Sequence, residues 1–277
     1  MLRVSVSGYY LWASGKSYLK TEKEELLSAR VKQIYWYNRR RYGSRRISAE
    51  LKAEGFDVGR SKVRRIMNEH NLRALQPRRF VPRTTLADNR RASPNLLKEA
   101  GVSAPKLALV GDITYLPLAG GKFCYLASWQ DKVSKRIVGW KLSERMTDEL
   151  VTDALDKALT RGLVGPGAII HSDRGSQYSS RRFRKLLADR RLRQSMAGLG
   201  NCYDNAQAES LWARLKIELL EGGSFESLDQ ARSETFSYIE GYYNRTRRHS
   251  SIGYLSPEEF ESQFEKMTSD PNLIENQ

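Results

Sequence analysis

The chain has 277 residues, 40% of them hydrophobic and including fourteen Tyr and five Trp, which excludes an intrinsically disordered protein and leaves room for one large domain or two of ordinary size. No run of eighteen apolar residues occurs, Met1 to Tyr10 lacks the basic and apolar regions of a secretion signal, and two cysteines (Cys124, Cys202) make no disulfide framework, so a cytoplasmic setting is expected. A formal net charge of +15 makes a polyanion the expected partner.

That charge is unevenly placed. Residues 1–100 hold 23 basic and 9 acidic side chains, nearly the whole excess, so a basic nucleic-acid-binding part is expected to precede a near-neutral body. From Glu22 to Tyr37, Leu26, Leu27, Val31, Ile34 and Tyr35 recur at helical spacing. A second helix is expected from Ser44 to Glu54, stopped by Gly55, and a third follows Gly59 through Val63, Ile66 and Met67 to His70. Two helices across a short turn are a helix-turn-helix, and Arg45, Arg46, Arg60, Lys62, Arg64 and Arg65 on its helices are candidate DNA contacts. Gln76 to Pro94, with three prolines and five arginines, reads as an exposed basic linker.

Beyond it, Leu107 to Leu118, Lys122 to Trp129 and Arg136 to Leu142 read as three strands of an antiparallel meander, with Gly120-Gly121 as a hairpin signal. A helix from Thr147 to Thr160, a strand Ala168 to His171, a basic helix from Ser180 to Arg190, a short strand Leu192 to Met196 and a helix from Asn205 to Leu220 follow. The order βββαβαβα is that of a ribonuclease-H-like α/β (α+β) core, here preceded by an all-α helix-turn-helix domain. A last helix, Leu228 to Tyr243, leads into an Arg-rich tail in which Arg247, Arg248 and His249 are further candidate DNA contacts. The expected division is 1–85 DNA-binding, 86–105 linker, 106–222 catalytic core and 223–277 a C-terminal helix and basic tail on the core.

Three acids fall on separate elements of this core. Asp112 lies inside the first strand, Asp173 ends the strand Ile169-Ile170-His171-Ser172, and Glu209 lies in the helix that also carries Asn205 and Lys216 on one face. Hard oxygen ligands on converging elements suit two divalent cations and phosphodiester chemistry. Asp204 with Gln207 reads as a capping box, Asp131 and Asp153 as structural or solvated acids, and His171 either orients a ligand or is a satisfied core histidine.

At these residues the chain resembles the integrase-core transposases of insertion-sequence-three type, in particular their second-reading-frame product, OrfB. Gly111-Asp112-Ile113-Thr114-Tyr115 is similar to the family's first-acid motif, His171-Ser172-Asp173-Arg174-Gly175-Ser176-Gln177-Tyr178 to its second, and Asn201 to Ser210 followed by Leu215-Lys216 to its third. The 35 residues between Asp173 and Glu209 match the family's DD(35)E spacing, and Tyr242 to Pro257 resembles its C-terminal signature. Leu211-Trp212 departs from the family's common Phe-Phe.

The resemblance implies a DDE transposase of the retroviral-integrase superfamily with Asp112, Asp173 and Glu209 as catalytic and metal-binding residues. Two Mg2+ ions per site, with Mn2+ as a substitute, would support DNA strand cleavage and transfer at insertion-sequence ends, in transposition through a circular intermediate. It also implies double-stranded DNA as partner (terminal inverted repeats and target), an OrfA product or fusion, a homodimer or higher assembly on DNA, and a bacterial, nucleoid-associated setting. A DNA-binding regulator with a silent core and a nuclease acting on RNA–DNA hybrids are the rival expectations.

Overall fold

The computed structural model describes residues 5–15, 21–76, 93–98, 100–198 and 206–269, without the side chains of Ala206 and Glu209. The chain divides into two compact units, Met1–Leu75 and Gln76–Gln277.

In the first unit, α1 (Val6–Ala13) is a short helix with no buried residue, beyond the helices expected from the periodicity; its start is set by Ser5, whose hydroxyl accepts from the Gly8 amide. Three helices follow: α2 (Glu22–Tyr37), α3 (Ser44–Ala53) and α4 (Arg60–Glu69). Thr21 caps α2 by accepting from the Glu24 amide, and three glutamates in the first turn complement the helix dipole. Leu27, Val31, Ile34, Ile47, Leu51, Val63 and Ile66 supply the buried stripes of these helices, so the three-to-four spacing in the sequence is the spacing of a small three-helix core. Gly55 adopts φ +86, a conformation costly for other residues, and lets the chain turn from α3 toward α4. The Ser48 hydroxyl holds that turn by donating to the Val58 carbonyl at 3.1 Å.

The second unit is built on a five-stranded sheet of β1 (Ala108–Pro117), β2 (Phe123–Asp131), β3 (Ile137–Ser143), β4 (Ile169–Ser172) and β5 (Arg193–Met196), in the order β3-β2-β1-β4-β5. The first three form the antiparallel meander, whereas β4 and β5 run parallel to β1. Helices α5 (Asp148–Thr160) and α6 (Arg181–Asp189) cover one face, with Leu150, Val151, Leu155, Phe183 and Leu187 packed on Leu109, Trp129 and Ile170. Helix α7 (Ala206–Leu220) and α8 (Leu228–Phe236) belong to the opposite layer, where Leu211, Trp212, Leu215 and Ala231 pack with Leu116 and Leu126. Alternate residues of β1 and β2 therefore feed two different cores, giving a three-layer ribonuclease-H-like unit.

Two glycines mark where layers touch. A Cβ at Gly139 would lie 2.1 Å from the Ala154 carbonyl oxygen, so α5 rests directly on β3. One at Gly111, the residue before Asp112, would lie 2.3 Å from the Trp129 ring, which is itself pinned by its indole N–H donating to the Val151 carbonyl at 3.1 Å. Gly111→Ala is expected to destabilise the unit by about 1–3 kcal/mol through overpacking, read as a lower urea midpoint at unchanged slope.

The C-terminal part departs from expectation in form. The single helix read from Leu228 to Tyr243 is α8 followed by a wider π-helical stretch, Ser237–Tyr243, and a further helix, α9 (Pro257–Ser269), follows the Arg-rich segment. Arg136 at the β3 entrance reaches Glu261 at 2.7 Å and Glu258 at 3.1 Å, which fastens α9 to the sheet.

Candidate active site

The β1–β4 ladder pairs Val110 with His171 in parallel. Asp112 stands two residues past Val110 within β1, and Asp173 directly follows the end of β4, two residues past His171, so both acids lie two residues beyond the same rung of the ladder. Asp112 Oδ1 accepts from the Ile113 amide at 2.8 Å, and its Oδ2 accepts from the indole N–H of Trp212 on α7 at 3.1 Å. Asp173 Oδ1 accepts from the Gly175 amide at 3.0 Å. Burial pushes the Asp173 carboxyl above its ordinary value, and that amide opposes the shift only in part. The fully buried Tyr178 hydroxyl has no hydrogen-bond partner among the described residues; burial, and then the negative charges of Asp112 and Asp173, push its ionisation well up.

Helix α7 crosses the end of β1 with one stripe toward it. Trp212 and Lys216 are four residues apart on that stripe, and the Lys216 ammonium lies 3.9 Å from the centre of the Tyr115 ring. Burial pushes this lysine below its ordinary value while the nearby Asp112 charge pulls the other way. Glu209 is a residue of α7 three positions before Trp212 and seven before Lys216, hence on the same stripe of the helix, while its side chain lies outside the described residues. Asn205 and Asp204 also lie outside them.

Among the described residues no group of three or more His, Cys, Asp or Glu is arranged to hold a metal ion. The donors that are described nevertheless suit a hard divalent cation. They are carboxylate oxygens from β1 and from the residue that follows β4, the latter penalised by burial with a single backbone N–H against it, and near them a buried hydroxyl has no partner among the described residues.

Residues 102–202 match a family model described as an integrase core domain, residues 190–257 a second integrase core model, and residues 21–80 an HTH-like domain. The chain is 38% identical over 265 residues to the transposase InsF for insertion sequence IS3A of Escherichia coli, covering 95% of this chain and 92% of that protein. The chain belongs to the IS3 family of transposases. A 31 kDa protein of insertion element IS600 from Shigella sonnei is 39% identical over 267 residues, covering 96% of this transposase and 98% of that protein. Among solved structures, the catalytic core of BIV integrase is 18% identical with a TM-score of 0.44, covering 60% of this chain and 99% of that one, and the HTLV-2 integrase core in complex with magnesium is 14% identical with a TM-score of 0.42, covering 57% and 97%.

The remaining residues singled out from the sequence of this transposase scatter. In the first unit Arg45, Arg60 and Arg64 are exposed, whereas Arg46 lies over the Tyr42 ring, Lys62 pairs with Glu24 at 3.2 Å and Arg65 with Glu69 at 3.6 Å. The Arg-rich segment calls for correction. Arg247 is sealed in the core, its guanidinium donating to both Glu218 oxygens at 2.8 and 2.7 Å. His249 is buried beside it with its ring against Tyr243, and Arg248 donates to the Tyr254 carbonyl at 2.9 Å. A guanidinium with 1% of its side chain exposed and a bidentate carboxylate partner is not placed to meet a phosphate.

His171 is a core histidine, its Nδ1 2.8 Å from the Ser195 hydroxyl on β5. Asp131 organises the β2–β3 turn by accepting from the amides of Lys106, Val133 and Ser134, and Asp153 pairs with Lys141 on β3. Trp212 and Tyr178 enter the sequence analysis only within the family motifs, and Glu218 does not enter it; no pattern in the sequence marks which indole N–H, hydroxyl or helix carboxylate will find a partner.

Proposed function

We propose that Asp112, Asp173 and Glu209 form the active site of a DDE polynucleotidyl transferase that cleaves DNA at the ends of an insertion sequence and joins the freed strands. The observation that carries this reading is the parallel pairing of β1, which holds Asp112, with β4, which Asp173 directly follows, together with a helix that is bonded to Asp112 through Trp212 and carries Glu209 three residues earlier. The three carboxylates would hold two Mg2+ ions, or Mn2+ in their place, which activate an attacking oxygen and stabilise the leaving oxygen in an in-line displacement.

The chain's own residues supply placement. Asp112 within β1 and Asp173 at the exit of β4 are anchored by the sheet, so little reorganisation is needed when charge develops on the phosphate. Lys216, held against Tyr115 beside Asp112, provides a fixed positive charge for a phosphate at the element end. In the first unit, α4 with exposed Arg60 and Arg64 is offered to a DNA groove, with Arg45 on α3 as an added phosphate contact. Residues 1–85 would thus bind DNA, 86–105 connect, 106–222 catalyse and 223–277 brace the core. An OrfA partner or fusion, and a dimer or larger assembly pairing two ends, complete this reading.

The direct experiment is incubation of the full chain with duplex containing an element end and Mg2+ or Mn2+, with and without OrfA, scoring single-strand cleavage and joining. Metal-dependent products are expected; binding without products under every condition would favour a DNA-binding regulator instead. In the same assay Lys216→Ala should weaken end binding or cleavage well beyond Lys266→Ala, on the exposed end of α9, and should lower the salt slope of binding by about one phosphate contact. Indistinguishable behaviour of the two lysine variants would remove Lys216 from the site.

A further inference from the structure

A carboxylate that holds a metal ion works best when its plane is fixed, because the terminal torsion of an aspartate is otherwise broad. Asp112 is fixed at both oxygens. The backbone N–H of Ile113 holds Oδ1 at 2.8 Å, and the indole N–H of Trp212 holds Oδ2 at 3.1 Å. The indole has no freedom to point elsewhere, since Trp212 is 6% exposed and its ring is packed with Leu116, Leu211 and Leu215 in the core between α7 and the sheet. The same bond spans from β1 to α7, and Glu209 stands three residues before Trp212.

We propose that Trp212 is a positioning residue of the metal site: its indole N–H orients the Asp112 carboxylate and registers the helix carrying Glu209 against β1. This rests on the three-acid reading of the site. Removing the N–H while keeping the ring should leave the fold and loosen the site.

The test is a Mn2+ titration of the full chain bound to element-end duplex, followed by electron paramagnetic resonance of free Mn2+, for the native chain, Trp212→Phe and Asp112→Asn, with thermal unfolding of each. Trp212→Phe should unfold near the native temperature and bind Mn2+ about 10–100-fold more weakly, the range for loss of a ligand-orienting partner. The Mn2+ concentration giving half-maximal cleavage should rise by the same factor, with the rate recovering at saturation. A purely structural tryptophan would lower the unfolding temperature without moving Mn2+ affinity.

A folded Trp212→Phe whose affinity stays within about twofold of native overturns the proposal, since that lies far below the range for such a partner. If Phe leaves the chain unfolded, replacing Trp212 by 3-benzothienylalanine, which puts sulfur where the N–H stood, decides between the same two results. Should Asp112→Asn bind Mn2+ like the native chain, the three-acid reading itself falls and this inference with it; loss of binding in Asp112→Asn with native affinity in Trp212→Phe sinks the inference alone.

Discussion

Asp112→Asn, Asp173→Asn and Glu209→Gln are each expected to lower cleavage and joining at element ends about a thousandfold or more, while DNA binding and the unfolding temperature stay near native values. The amides preserve shape and one oxygen but lose the charge that holds a divalent cation; forfeiting about 4 kcal/mol of transition-state stabilisation is a loss of about 10³ in rate. At Asp173 the stability effect should even be neutral or favourable, because burial penalises the carboxylate there and the neutral amide escapes that cost. The measurement is product formation on end-containing duplex with Mg2+, beside thermal unfolding and filter binding of each variant. A variant that joins strands at near-native rates strikes that acid from the site.

The second large effect is structural. Arg247→Ala is expected to destabilise the second unit by about 3–5 kcal/mol, because Glu218 would remain buried with its bidentate partner gone. Glu218 also accepts from the Tyr238 hydroxyl at 2.9 Å, so the bond network joins α7 to the π-helical stretch and to the Arg-rich segment. Removing both ions at once, as in Arg247→Met with Glu218→Leu, should recover most of the loss, since no uncompensated charge is left behind. Arg247→Lys should fall between, because an ammonium does not reproduce the planar two-pronged contact. Urea unfolding of the four chains measures this, and the salt slope of DNA binding should be native in the double variant. A reduced slope there would restore Arg247 as a phosphate contact.

Arg247 also shows where sequence stops informing. Arg245, Arg247 and Arg248 look alike as a basic cluster, and charge density alone does not tell which member turns inward; that depends on Glu218, 29 residues away. The strands were legible because each face of β1 and β2 feeds a different core, so Leu109 and Leu116 are both apolar while Asp112 interrupts the pattern. Asp112 and Asp173 were legible for the same reason, as carboxylates set in or at the end of apolar strands. That their elements converge follows from the strand order, in which the single crossover after β3, through α5, returns the chain to lay β4 beside β1. Trp212 reads as one more ring in a buried stripe, and only Asp112 on the β1 face beneath it makes its N–H matter. The widening of the helix after Phe236 left no periodic mark, since Tyr238, Ile239 and Tyr243 are buried under either helical pitch.

The most direct single measurement of the three-acid site is an anomalous difference map from a crystal of the full chain grown with element-end duplex and soaked in Mn2+. The expected result is density for one or two ions bounded by carboxylate oxygens of Asp112 and Asp173, at about 2.0–2.2 Å as for a hard cation of this kind, with Glu209 closing the same group. Mn2+ bound elsewhere in the chain, with these three carboxylates bare, would contradict it.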